Sequence, residues 1–325
     1  MKTMKWLVRR EFWEHKGMFY WAPMVVAALM ALFIGGSIIY GFASSGMHHV
    51  YGASTGASQL SHEINNMPPE TKAEVALAIA SGYMAVSAPL FLMLAVIIFF
   101  YCLGAMFDER RDRSILFWKS LPVSDTQTVL SKVVAALCVA PLITMVFATA
   151  LAVTLMLIMA TALTVSGANV FGILLSMPQL YATPFEILAL LPIYVLWALP
   201  TVGWLMLVSS WARSKVFLWA VGVPLMAVIV IKYVEQQFGV GMNVDWIIQN
   251  VILRGLGSAI PGIWLAFEHI GHEQLVPSGM HTMDLGSLVA ESWKLLGAPA
   301  IWLGAAAGAA MISGAIRMRR WRDEG

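Results

Sequence analysis

Apolar residues run through this chain in long unbroken blocks, without the alternation of strands or the single stripe of a soluble helix. Six blocks reach the roughly 20 residues a helix needs to cross a hydrocarbon core, and none has a central charge. They lie at about 20–43, 82–107, 132–164, 186–211, 216–236 and 295–316. The polar positions between them predict the remaining elements. "MKWLVRREFWEHKG" predicts a helix within residues 1–19 lying on a membrane surface, with Trp6, Phe12 and Trp13 at headgroup depth and Lys5, Arg9 and Lys16 toward anionic lipid. Glu11 disturbs that pattern, because it projects near Met4 and Leu7. A basic flank that only fixes topology accounts for the same residues. The first block exceeds the roughly 7 to 15 residues of a signal-peptide core, so it reads as a retained anchor.

Composition agrees with the pattern: 59% of residues are hydrophobic and 12% charged, against roughly 25% charged in soluble domains. The expectation is an all-α polytopic membrane protein, one transmembrane domain over residues 1–325. A net charge of +2 points to no nucleic-acid partner, and the placement of the charges is what informs. Sixteen of the twenty lysines and arginines fall in four segments. These are Lys2 to Lys16, Arg110 to Lys132, Arg213 with Lys215, and Arg317 to Arg322. By the positive-inside rule these segments are cytoplasmic, as are both termini, and the number of spans is even. Lys72, Lys232, Arg254 and Lys294 fall on the other side. A seventh span at 250–270 would carry "RMRRWRDEG" outside, so 237–294 is expected to be an external region. It would hold interfacial or re-entrant helices, broken at Gly255, Gly257 and Pro261 and shielded by protein. Cys102 and Cys138 sit inside apolar blocks and read as packing residues.

One insert is out of keeping with its surroundings. "FDERRDRSILFWKSLPVSD", residues 107–125, begins with the charged end of the second span. A short helical piece with Ile115, Leu116, Phe117 and Trp118 follows, and Pro122 stops it. Ser124 and Gln127 then have capping-box spacing and start the helix that runs through Lys132 into the third span. Basic residues alone would fix topology. The apolar cluster, proline stop and cap suggest a mechanical part that transmits a push to both spans.

"DERRDRSILFWKSLPVSDTQTVLSK" resembles the signature connection of ABC-type exporter permeases of the type-2 family, through Glu109, Arg110, Ser120, Leu121, Pro122, Val123, Ser124 and Lys132. The six-span layout, the N-terminal surface helix and the external region before the last span are similar as well. The resemblance implies that 108–131 is a coupling helix region docking into a separate soluble ATP-binding subunit, which holds the ATP and magnesium, with no cofactor in this chain. It also implies a second permease chain, identical or not, in a bacterial inner membrane. Glu109, Arg110, Arg113, Phe117, Trp118, Leu121, Pro122 and Lys132 are then the expected coupling residues. The external region is longer than the form common in that family.

No G-x-x-x-x-G-K-[ST] loop occurs, so any ATPase activity belongs to another subunit. The spans lack central Asp, Glu, Lys, Arg and His, the usual groups of proton-coupled carriers and ion pores. Every span carries a proline, a source of kinks, and Gly304 and Gly308 in the last permit close helix contact within or between chains. Two rival classes stand beside the exporter. A membrane-bound metalloenzyme would use His269, His272 and His281, with Glu268 or Glu273, although the order is not that of zinc proteases and external histidines are commonly just solvated. The other rival is a non-transporting scaffold.

Overall fold

The computed structural model describes residues 2–48, 64, 66–120, 122–165, 171–238, 243–268 and 285–321. Among these there is no strand, and six helices are long and apolar enough to cross a membrane. In chain order the main elements are α1 (Lys2–Glu14), α2 (Gly17–Ser44), α3 (Pro69–Arg111), α4 (Ser114–Ser120), α5 (Asp125–Val165), α6 (Pro178–Trp211), α7 (Leu218–Gln237), α8 (244–257), α9 (Leu285–Lys294) and α10 (Pro299–Trp321). The six predicted spans correspond to α2, α3, α5, α6, α7 and α10. Several helices outlast their apolar blocks: α3 begins at Pro69 and α5 at Asp125, because polar helix formers continue the backbone hydrogen bonds past the apolar limit.

Four of the prolines leave a common mark, although Pro184 and Pro200 lie within uninterrupted α-helix. A proline ring clashes with the carbonyl four residues earlier, and at these four the preceding turn widens or tightens. Wide turns at Gly17–Trp21, Ala135–Val139 and Leu218–Gly222 are centred on Phe19, Leu137 and Ala220, each four residues before Pro23, Pro141 and Pro224. A tight turn at Tyr83–Ser87 stands in the same relation to Pro89. The carbonyl of Ala220 accepts a hydrogen bond from the Trp204 indole at 2.9 Å, which joins α7 to α6.

α6 is the central helix. Trp197, Val202, Leu205 and Met206 are buried along it, and its contact with α10 is the most extensive between any two elements. Glycine makes that contact possible: a β-carbon on Gly203 would lie 2.5 Å from the Gly308 carbonyl oxygen, and one on Gly308 would lie 2.5 Å from the backbone of Leu199. The close approach expected from Gly304 and Gly308 is therefore made within one chain. α2 and α7 contribute least to the core, with 11% and 6% of their most apolar windows buried.

Residues 243–268 and 285–294 lie against the end of the bundle away from α1. Here α8 runs through Gly255, an expected break, and ends at Gly257, where Pro261 and Gly262 (φ +82°) make the turn. A glycine can occupy a left-handed conformation and stay inside a helix by turns, which is why composition alone misplaced the first break. Side chains of α6 hold this segment: Tyr194 donates to the Ala259 carbonyl at 3.0 Å and Thr201 to that of Arg254 at 3.2 Å. The Ala259 carbonyl lies in irregular backbone and gains its partner this way, while that of Arg254 also accepts from the Ser258 amide at 3.2 Å. At the other end, the turns after α3 and α6 place Arg113 and Lys215 at φ +56° and +48°.

Candidate functional site

The conspicuous chemistry lies at the end of the bundle that carries α1 and the last turns of α10. Lys132, about two turns beyond the polar start of α5 at Asp125, is 2% exposed and lies 3.1 Å from Glu11 of α1 and 3.0 Å from Glu109 of α3. Arg319 of α10 pairs with Glu109 on that carboxylate's other oxygen and with Asp125 at 3.2 Å. Arg10 completes the group, paired with Glu11 and 3.8 Å from Glu109. The Tyr101 hydroxyl donates to Glu11 at 3.0 Å. Glu11, Glu109 and Asp125 thus face Lys132, Arg10 and Arg319, three acids against three bases drawn from four elements. Burying charge is costly unless each is paired and hydrogen-bonded; here each has an ion-pair partner, while Arg10 Nε and Nη1 make no hydrogen bond among the described residues.

This arrangement explains the flaw in the amphipathic pattern of α1. Leu7 and Glu11 are one turn apart and both fully buried, so the helix presents a mixed face to α5, while Trp6 and Trp13 remain exposed. Helix α1 is docked by that face and is not merely a basic flank.

A second knot fastens α3 to the end of α6. The last carbonyls of a helix have no partner within it. Arg110 supplies one, donating to the carbonyls of Ser209 at 2.6 Å and Ala212 at 2.8 Å. In return Ser209 Oγ accepts from the backbone amides of Met106 and Phe107, both at 3.0 Å, where α3 kinks. A cation at a helix C-terminus is also favoured by the helix dipole.

Of the expected coupling residues, Glu109, Arg110 and Lys132 are therefore turned inward and bind other parts of the chain. Arg113 and Pro122 are exposed on the connection, and the Trp118 ring, half-buried, carries the Arg10 guanidinium 3.7 Å from its centre. Leu121 and the Phe117 side chain lie outside the described residues. The serine half of the capping box forms, with Ser124 Oγ accepting from the Gln127 amide at 3.2 Å. Arg10 and Arg319 were legible in the sequence only as members of basic segments. The single signal for the cluster was the misplaced Glu11.

The metal-binding candidates His269, His272 and His281 also fall outside the described residues, together with Glu273. Among the described ones, Glu11, Glu14 and His15 lie close enough to share an ion. Their carboxylates are already engaged, Glu11 by Lys132, Arg10 and Tyr101 and Glu14 by Arg10 at 3.5 Å, so ion pairing accounts for the group.

Burial alone would raise the Glu11 carboxyl, but Lys132 and then Arg10 override it, leaving its pKa below the ordinary 4.5. A depressed carboxyl stabilises the fold fully above its unfolded value and ceases to do so as pH falls through the folded one. Melting temperature followed from about pH 7 to about pH 3 should therefore drop below about pH 4.5, and Glu11→Gln should start lower and lose part of that acid slope. An acid limb identical in the variant would exclude this role for Glu11.

Compared with protein-family models, curated proteins and solved structures, the chain matches none.

Proposed function

We propose that this chain is the membrane-spanning permease subunit of an ATP-driven exporter whose nucleotide is hydrolysed by a separate soluble subunit. The observation that carries the reading is the joint at the terminal end of the bundle. Residues 108–132 are bound through Glu109, Arg110 and Lys132 to α1, α6 and α10, so a displacement of α4 would reach three other helices through buried ion pairs and hydrogen bonds. A loop serving topology alone needs no such ties. In this reading the basic end faces the cytoplasm, Arg113, Trp118, Leu121 and Pro122 meet the ATP-binding subunit, and the buried residues relay its motion. A second permease chain completes the pathway.

The cargo is amphipathic or lipid-like, a hydrophobic peptide or a drug-like molecule, since the span interiors offer no central charge to an ion. A cavity of about 370 Å³ between α3, α5 and α6, lined almost wholly by apolar groups such as Phe91, Leu94, Leu142, Leu191 and Trp264, is consistent with that class.

Affinity purification of the tagged full-length chain in mild detergent tests the reading. A soluble ATPase with a phosphate loop should accompany it, and Trp118→Asp with Leu121→Asp should reduce that recovery about tenfold or more while the chain still inserts, the loss expected for an apolar anchor at a protein interface. Unchanged recovery and transport in the double variant would refute it.

A further inference from the structure

Arg254, on the opposite half of the bundle, has no use in the joint described above. It is 5% exposed, and its Nε and Nη2 have no hydrogen-bond partner among the described residues. A buried guanidinium left in this state costs several kcal/mol relative to water, so something must compensate it. The Trp197 ring does so in part, 4.0 Å from the guanidinium carbon. No carboxylate among the described residues lies within ion-pair distance of it.

The surroundings are shaped for this side chain. Gly304 of α10 lies against it: a β-carbon there would stand 2.6 Å from Nη2, so only glycine leaves room for the guanidinium. Arg254 borders a groove of about 560 Å³ between α6, α7, α8 and α10 whose other walls include Trp204, Pro224, Val251, Leu303 and Met311. That volume lies within the range of small-ligand sites, roughly 300–1,000 Å³. Leu303 and Trp246 on its rim are exposed, so the groove opens on the lipid-facing side of the bundle. Exposed Trp246, Trp293 and Trp302 surround this level of the molecule, the arrangement that marks a membrane–water interface. One buried cation in the wall of an otherwise apolar groove, with exposed tryptophans nearby, matches a ligand with one anionic group and an alkyl chain.

We propose that Arg254 and this groove form a binding site for an anionic amphiphile, a phospholipid whose headgroup phosphate is held by Nη1, the one guanidinium nitrogen not closed in against Gly304, while an acyl chain fills the groove. The site stands apart from the export reading: a chain that recruited no ATPase would still have it.

The full-length chain, incorporated into vesicles of equal phosphatidylglycerol and phosphatidylcholine and then extracted in neutral detergent, should retain phosphatidylglycerol over phosphatidylcholine in native mass spectra. The preference should be about tenfold, because both lipids carry the phosphate but the choline cation of phosphatidylcholine is repelled by the guanidinium. Arg254→Met should abolish it. Without anionic lipid this variant should melt no lower than the parent, because an uncompensated buried charge has been replaced by an apolar chain of similar length. Gly255→Leu, at a groove position where a β-carbon meets nothing within 4 Å, should weaken retention with Arg254 intact. It serves as the deciding variant if Arg254→Met fails to fold. Equal retention of the two lipids by the parent, undiminished retention in Gly255→Leu, or displacement by millimolar inorganic phosphate alone would overturn the proposal, the last because a free anion needs no groove.

Discussion

Lys132→Met should be the most damaging single substitution at the terminal end of the bundle, costing about 3–5 kcal/mol, the penalty for breaking a buried ion pair by removing one partner. Lys132 stands between two carboxylates, at 3.1 and 3.0 Å. Without it, Glu11 and Glu109 keep Arg10 and Arg319 but face each other across a dry gap. The expected outcome in mild detergent is a sharply lower melting temperature and earlier release of α1, read by protease cleavage near the N-terminus. Adding Glu11→Gln to Lys132→Met should recover part of the loss, since it removes the repulsion and leaves Glu109 with Arg319. If Lys132→Met melted like the parent, the cluster would contribute nothing to holding α1.

Gly308→Leu should be nearly as severe, by a purely steric route. Even its β-carbon would fall 2.5 Å from the Leu199 carbon and oxygen, both backbone atoms that cannot rotate away, so α6 and α10 must separate along their whole contact. Overpacking of this kind costs about 1–3 kcal/mol or more, and here it also pulls Arg319 from Glu109 and Asp125. Gly36→Ala in α2 is the matched control: its β-carbon meets nothing within 4 Å, and alanine in a helix interior should stabilise by about 0.5–1 kcal/mol. Thermal unfolding of both variants in the same detergent would show opposite shifts. A similar loss for both would mean that the separation of α6 and α10 is not the cause.

The spans, the proline positions and the Ser124 cap were legible because each depends on residues close together in sequence. Apolar length and local hydrogen bonding decide them before any tertiary contact forms. The ion cluster was half legible. Glu109, Arg110 and Lys132 stood out through their insert, yet as surface features, since nothing local reveals that a charge is buried. Glu11 meets Lys132 across 121 positions of chain, a pairing set by how α1 docks on α5 and carried by no periodicity. Arg254 was hidden for a different reason. Counted as one of four basic residues outside the rich segments, it gave no sign that Gly304 and Trp197 enclose it.

Arg113 and Lys215 hold left-handed backbone that costs an L-residue with a side chain about 1–2 kcal/mol and a glycine nothing. Both lie in short turns at the end rich in lysine and arginine. Equilibrium stability would place glycine at each, at the loss of two of the positive charges gathered at this end. At these two turns the fold tolerates a small permanent strain and keeps its cations, so Arg113→Gly and Lys215→Gly trade charge for relief of that strain.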